Sequence, residues 1–244
     1  MSHRVCLVTG AARGIGRAIA ERLASDGWSV VLSDIDERRL HVSADEIGAG
    51  ALAMTADVSD SADVRRLFSG VRQRFEHLHG LVNSAAISRP TTLADTTDAS
   101  WREVLAVNLD GLYWCCREAF PLLRDSGGGA IVNLSSVSSF TGRVLNANLA
   151  YVASKGAVNA LTRALAVEGL PANITVNAVA PGIVSTEIHA HMPDERQNLL
   201  PSLVPQGRLA SAAEIASTIA FLLSPAARHI TGQVIHQNGG MYLG

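Results

Sequence analysis

Lysine is almost missing from this chain. Lys155 is the single one among 244 residues, and every other fixed side-chain cation is an arginine. Cysteine is scarce as well. Cys6, Cys115 and Cys116 form neither a disulfide framework nor a CxxC pair, so the expected setting is a reducing, cytoplasmic one. No group of His, Cys, Asp or Glu has the spacing of a metal site, and no metal is expected. Charged residues make up only 17% and nearly cancel, leaving −2, which argues against nucleic acid or an anionic membrane as partner. No stretch approaches 18 uninterrupted apolar residues, and the first residues run into a strand pattern without the apolar core of a leader, so the chain reads as soluble and unprocessed. Linkers and repeats are lacking too, and residues 1–244 are expected to form a single domain.

What is there is a high apolar fraction, 48%, arranged as short buried runs between amphipathic stretches. Seven runs read as strands, beginning near Arg4, Ser29, Ala51, Leu81, Ala130, Asn173 and Gly232. Helical periodicity falls between them, including Val64 to Phe75, Leu112 to Leu123, Tyr151 to Glu168 and Ala212 to Leu223. Strand and helix in regular alternation imply right-handed crossovers, hence an α/β protein with one doubly wound parallel sheet of about seven strands and helices on both faces. The tract 185–209, broken by Pro193, Pro201, Pro205 and Gly207, reads as a mobile flap with a short helix.

Between the first strand and first helix lies Gly10-Ala11-Ala12-Arg13-Gly14-Ile15-Gly16. Glycines there allow a tight turn and let backbone N–H groups approach a pyrophosphate at a helix N-terminus. The pattern is GxxxGxG, not the commoner GxGxxG. About 20 residues on, the second strand ends at Asp34-Ile35, where a carboxylate would hold a ribose 2′-hydroxyl and repel a 2′-phosphate. That argues for NAD. Arg13 in the turn could accept such a phosphate, which keeps NADP as the alternative. Asp34 could equally cap the helix from Glu37, and Asp57 or Asp60 the helix from Val64. Asp57-Val58 follows the third strand at an adenine's expected place, and Asn83-Ser84-Ala85-Ala86 follows the fourth with side chains small enough for a cofactor to pass.

Two further features carry chemistry. Ser135-Ser136-Val137-Ser138-Ser139 places hydroxyls at a strand's carboxyl end, the edge where open parallel sheets bind ligands. Tyr151 and Lys155, four apart on a helix, share one face, so the lone ammonium can favour the phenolate of a tyrosine acting as general acid or base. Asn108, in an otherwise apolar helical turn, needs a partner.

Thr9 to Gly16, Asp57-Val58, Asn108, Ser135-Ser136, Tyr151-Val152-Ala153-Ser154-Lys155 and Pro181-Gly182-Ile183-Val184-Ser185-Thr186 together resemble the short-chain dehydrogenase/reductase family, in order and spacing, over nearly the whole chain. The resemblance implies a Rossmann-type fold, NAD or NADP, and reversible hydride transfer between an alcohol and a carbonyl. It implies a homotetramer packed through long helices and the C-terminal strand. It makes Tyr151 the proton donor or acceptor, Lys155 the residue that holds the nicotinamide ribose, and Asn108 the residue that positions a water linking Lys155 to solvent. Ile183 would pack by the nicotinamide with its backbone toward the carboxamide, and Thr186 would reach that amide or the phosphates. The family's second Asn and its Gly after the fourth strand are here Ser84 and Ala86, and Asn238 stands where it has Asp. The segment from the fifth strand to Tyr151 is about two residues long for the family, so counting forward selects Ser136 as the catalytic serine and counting backward Ser138. Ser136 is favoured because the strand end fixes it, leaving Ser138, Leu145, Asn146, Ile188 and His189 to the substrate pocket. The leading expectation is NAD-linked conversion of a secondary alcohol and its ketone. The alternatives are an NADPH-dependent 3-oxoacyl thioester reductase and, from another class, a catalytically silent dinucleotide sensor or scaffold on the same fold.

Overall fold

The computed structural model describes residues 4–48, 50–142, 149–187 and 193–244. The first half runs β1 (Val5–Thr9), α1 (Gly14–Ser25), β2 (Ser29–Ser33), α2 (Glu37–Ile47), β3 (Ala51–Ala53), α3 (Ser61–Phe75) and β4 (Gly80–Asn83). Then come α4 (Asp98–Leu105), a π-helical turn (Ala106–Gly111), α5 (Leu112–Asp125), β5 (Gly129–Leu134), α6 (Ser138–Thr141), α7 (Leu149–Gly169) and β6 (Ile174–Pro181). The remainder holds β7 (Val184–Ser185), α8 (Asp194–Leu199), β8 (Ala210–Ser211), α9 (Ala212–Leu222) and β9 (Val234–Gln237).

Seven strands form one sheet in the order β3-β2-β1-β4-β5-β6-β9, and every pairing is parallel. The order reverses between β1 and β4, which opens the crevice that a ligand at the carboxyl ends would use. Two buried clusters sandwich the sheet. One gathers Ile19 and Leu23 of α1 with Ile215 and Ile219 of α9, and the other gathers Val64, Leu67 and Phe68 of α3 with Cys115, Cys116 and Leu122 of α5. Each fully buried Leu or Ile contributes roughly 1.5–3 kcal/mol, so the clamp on the strands comes mainly from these faces.

Several boundaries differ from the sequence reading for local reasons. β3 stops at Ala53, short of the expected Ala56, because Asp57 turns the chain by accepting from the Ser59 N–H and hydroxyl at 2.8 and 2.7 Å. The caps are Asp36 for α2 and Asp60 for α3, not Asp34 or Asp57. The described second half of the flap is packed. Leu200 and Val204 are buried against Ile183, a small core that seals its second half.

Candidate functional site

The glycine turn is shaped by contact as much as by freedom. Gly10 has φ +66°, and a Cβ there would lie 2.7 Å from the Ala85 backbone. Thr9 closes the same junction, its hydroxyl accepting the N–H groups of Ser84 and Ala85 at 3.2 and 3.3 Å. Ala86, where the family has glycine, costs nothing, since the left-handed non-glycine residues described are only Glu76 and Asn173. We expect Gly10→Ala to destabilise the protein by roughly 2–4 kcal/mol, from left-handed strain plus overpacking. Urea unfolding measures it, and an unchanged midpoint would show that the β1–β4 junction opens freely.

α1 begins at Gly14 without a side-chain cap and without an acid in its first turn, so its leading N–H groups face the turn with no internal partner. A Cβ at Gly14 would meet only the Thr186 methyl, at 3.8 Å, leaving an open cradle roofed by that threonine. An uncapped helix N-terminus under an open cradle suits a pyrophosphate, so these residues fit a dinucleotide. Asp34 braces the turn from below. Its carboxylate accepts the Ala12 N–H and the Asp36 N–H, both at 3.1 Å. Ile35 beside it is 67% exposed, as a residue covering an adenosine would be before its ligand binds. Arg13 is exposed and makes no ion pair among the described residues. Val58 is buried against the π turn, where Gly111 leaves room for its carbonyl.

The second half of the site stands at the carboxyl ends of β4, β5 and β6. Lys155 is 3% exposed, and its Nζ donates to the Leu134 carbonyl at 2.6 Å while lying 5.7 Å from the centre of the Tyr151 ring. Burial pulls its ammonium down to about 8. Burial also pushes the Tyr151 phenol above its usual range, and a hydrogen bond from Ser136 pulls it partway back. The ammonium donates to the β5 carbonyl, and burial is the larger of the two effects on the phenol.

Ser136, not Ser138, meets Tyr151. Ser138 is 1% exposed and donates both its N–H, at 3.2 Å, and its hydroxyl, at 2.8 Å, to Ser136 Oγ. That corrects its assignment to the substrate pocket, because the short helix α6 turns its side chain back onto Ser136. Asn108 is satisfied in the π turn. It accepts the Ile87 N–H at 2.8 Å and donates to the Ile87 carbonyl and to Ser154 Oγ at 2.9 and 3.1 Å. Its amide thus ties the segment after β4 to α7 at the residue just before Lys155. Asn83 donates to Asn133 Oδ1, and Asn133 to Thr162, each at 2.9 Å, so a buried polar chain locks β4 and β5 to the same helix.

Pro181 and Gly182 sit where expected, ending β6, with Gly182 pressed against Asn238. Ile183 follows them. Its side chain is 9% exposed and packs on Leu200 and Val204, so only its backbone is left for a ligand. Leu145, Asn146, Ile188 and His189 lie outside the described residues. A cavity of about 500 Å³ is lined by Gly182, Ile183, Arg208, Glu214, His236 and Tyr242 among others, and touches this site only through Gly182 and Ile183. The sequence reading passed over Ser154, Ser139 and Asn159. Asn159 had a signal, being polar on the apolar face that carries Tyr151 and Lys155. Among the described residues no metal-binding cluster occurs, and no helix is long and apolar enough to cross a membrane.

A switch-point crevice, a phosphate cradle and a Ser-Tyr-Lys group at one sheet edge define a dinucleotide-dependent oxidoreductase. Comparison with known proteins agrees. A family model described as enoyl-(acyl carrier protein) reductase matches residues 10–242. The 3-oxoacyl-[acyl-carrier-protein] reductase FabG of Staphylococcus aureus is 39% identical over 97% of each chain, and that of Escherichia coli 35% over 98% of each. Among solved structures, a short-chain dehydrogenase/reductase from Brucella melitensis, described as glucose/ribitol dehydrogenase, is 37% identical with TM-score 0.91, covering 99% of this chain and 97% of its own. A 3-ketoacyl-(acyl-carrier-protein) reductase from the same organism, complexed with NADH, is 33% identical with TM-score 0.91 over 98% of each. The chain belongs to the short-chain dehydrogenase/reductase family. It is an oxidoreductase that uses a nicotinamide cofactor on a ketone or alcohol group.

Proposed function

We propose that the protein interconverts a secondary alcohol and its ketone with NAD(H), the ketone being that of a 3-oxoacyl thioester. The observation that carries the chemistry is the Ser136 hydrogen bond to Tyr151, set at the strand ends above Lys155. Gly10, Gly14, Ile15 and Gly16 would hold the pyrophosphate, Asp34 and Ile35 the adenosine ribose, Asp57 and Val58 the adenine. Asn83 and Ala85 would flank the nicotinamide ribose that Lys155 holds, with Pro181, Gly182, Ile183 and Thr186 around the nicotinamide. When bound, the cofactor supplies or takes the hydride. Ser136 would hold the substrate oxygen, and Tyr151 would give that oxygen its proton in reduction or remove it in oxidation. Asn108 would act by fixing the segment after β4 on α7.

Asp34 supports NAD, because a carboxylate tethered by two backbone N–H groups is held in place and cannot swing aside for a 2′-phosphate. The thioester rests on the relatives at 35–39% identity. A sugar or polyol alcohol is the second reading, favoured by the neighbour described as glucose/ribitol dehydrogenase. Free, buried Cys6, Cys115 and Cys116 suit a cytoplasmic protein. Exposed Tyr113 on α5 and Val167 on α7, with Trp101 on α4 and Leu170 just past the end of α7, suit a homotetramer.

Steady-state rates with 3-oxoacyl thioesters and polyols, each with both reduced and both oxidised nicotinamides, test this reading. NADH should exceed NADPH in kcat/KM, and Asp34→Ser should narrow or reverse the ratio by about 10-fold or more, since it removes a direct charge repulsion. Preference for NADPH in the unaltered protein would refute the NAD assignment.

A further inference from the structure

The catalytic helix carries a third polar residue on its working face. Asn159 follows Lys155 by four residues and Tyr151 by eight, so the three share one side of α7. Asn159 is 5% exposed, and its buried Oδ1 has no partner among the described residues. The side chain is held instead by its other end, Nδ2 donating to Ser139 Oγ at 2.9 Å. Ser139 in turn donates its hydroxyl to the Ser136 carbonyl at 2.6 Å. A carbonyl oxygen only accepts, so the Ser139 proton is committed to it. Ser139 Oγ must then accept, and Asn159 must present an N–H. The direction of the whole chain is therefore fixed from the carbonyl backward.

The hydroxyl end of Ser136 is gripped as firmly. Its Oγ accepts the N–H and the O–H of Ser138, at 3.2 and 2.8 Å. With both lone pairs occupied, one capacity is left to it, the donation of its own proton.

We propose that Ser138, Ser139 and Asn159 are positioning residues: Ser138 makes Ser136 a one-way donor by filling its Oγ lone pairs, and Ser139 and Asn159 hold the Ser136 backbone through its carbonyl. Ser136 gives its proton as a hydrogen bond to Tyr151 at rest and to the reacting oxygen of the substrate in turnover, and it does not accept the tyrosine's proton. In reduction the Tyr151 O–H bond alone breaks as the substrate O–H bond forms, while Ser136 stabilises the charge that develops on that oxygen. The Asn159–Ser139 chain ends on the Ser136 carbonyl and so fixes its backbone, while Ser138 alone fills the lone pairs of its Oγ. This rests on Ser136 being the catalytic serine, as proposed above.

The test is a double-mutant cycle on the intact enzyme, with kcat and KM for ketone reduction measured in two backgrounds. In the unaltered protein Asn159→Leu and Ser139→Ala should each lower kcat about 5- to 20-fold, as the Ser136 hydrogen bond to the charged transition state loses its fixed geometry, with cofactor KM unchanged. The two together should lose no more than the worse alone, since they sever one chain. In a Ser136→Ala background either should cost less than about twofold, because nothing is left to position. Ser139→Thr, which keeps the hydroxyl, should recover most of the turnover lost in Ser139→Ala. Equal losses with and without Ser136 would overturn the proposal and show a general packing role. A fully active Ser136→Ala would overturn it differently, by removing the serine assignment on which it stands. If Asn159→Leu fails to fold, the Ser139→Ala and Ser139→Thr pair decides by the same comparison.

Discussion

Tyr151→Phe retains the cofactor and loses turnover. The ring keeps its place on α7 beside Lys155, so packing is unchanged and only the phenol oxygen goes. General acid catalysis contributes about 10²–10⁴-fold, and kcat should fall by that factor while the dissociation constant for NADH stays within about twofold. Stability should change by no more than about 1 kcal/mol, because one hydrogen bond to Ser136 is exchanged for relief of a desolvated hydroxyl. Stopped-flow or steady-state rates together with cofactor fluorescence titration separate the two effects. A variant that turns over normally would mean the proton comes from elsewhere.

Lys155→Met should inactivate the enzyme and, in the absence of cofactor, stabilise it. The ammonium is buried in the free protein and titrates at about 8, below the 10.5 of an exposed lysine. The folded state therefore binds this proton less tightly than the unfolded chain does. Below pH 8 the lysine lowers stability by its full amount, on the order of 3 kcal/mol, and that burden lifts as pH rises toward 10.5, where both states are neutral. Methionine removes the burden but leaves the Leu134 carbonyl without its donor, costing about 1–2 kcal/mol, so a net gain of about 1–2 kcal/mol is expected near pH 7. Thermal unfolding of the two proteins between pH 6 and pH 10 should converge as the pH rises and cross at about pH 9–10, where the remaining burden no longer exceeds the cost of the lost hydrogen bond. Turnover should fall about 10²-fold or more, because the charge beside the phenol is lost. A destabilised methionine variant at pH 7 would show that the lysine is held by favourable contacts that outweigh its burial.

Much of this was legible in the sequence where the chemistry is local. The glycine turn, the acid ending β2 and the Tyr-Lys pair each lie within one strand-turn-helix unit, and the parallel sheet followed from the alternation of runs. What was not legible depends on how distant segments meet. No pattern says that α6 folds Ser138 back onto Ser136, or that Asp34 props the glycine turn while a different acid caps α2. The packing of Ile183 was hidden for the same reason. Its neighbours Leu200 and Val204 belong to a tract whose prolines suggested looseness, and only the folded chain brings them under it. Asn108 looked disfavoured in a helix because the sequence reading assumed α geometry, whereas the backbone there is π-helical and presents its amide to two other elements.

That widened turn also sets how the chain tolerates change in length. The extra residue in 106–111 lets Asn108 face α7 while Leu112, Cys115 and Cys116 still face the core beyond it. Deleting one residue there would restore a continuous α-helix with the flanking faces nearly in phase, since six π-helical residues and five α-helical ones turn the chain by about the same angle. The cost would fall on the turn itself, where the Asn108 amide would lose the wide backbone that lets it reach both Ile87 and Ser154. The segment can thus accept substitutions at its exposed positions far more readily than a change in its residue count.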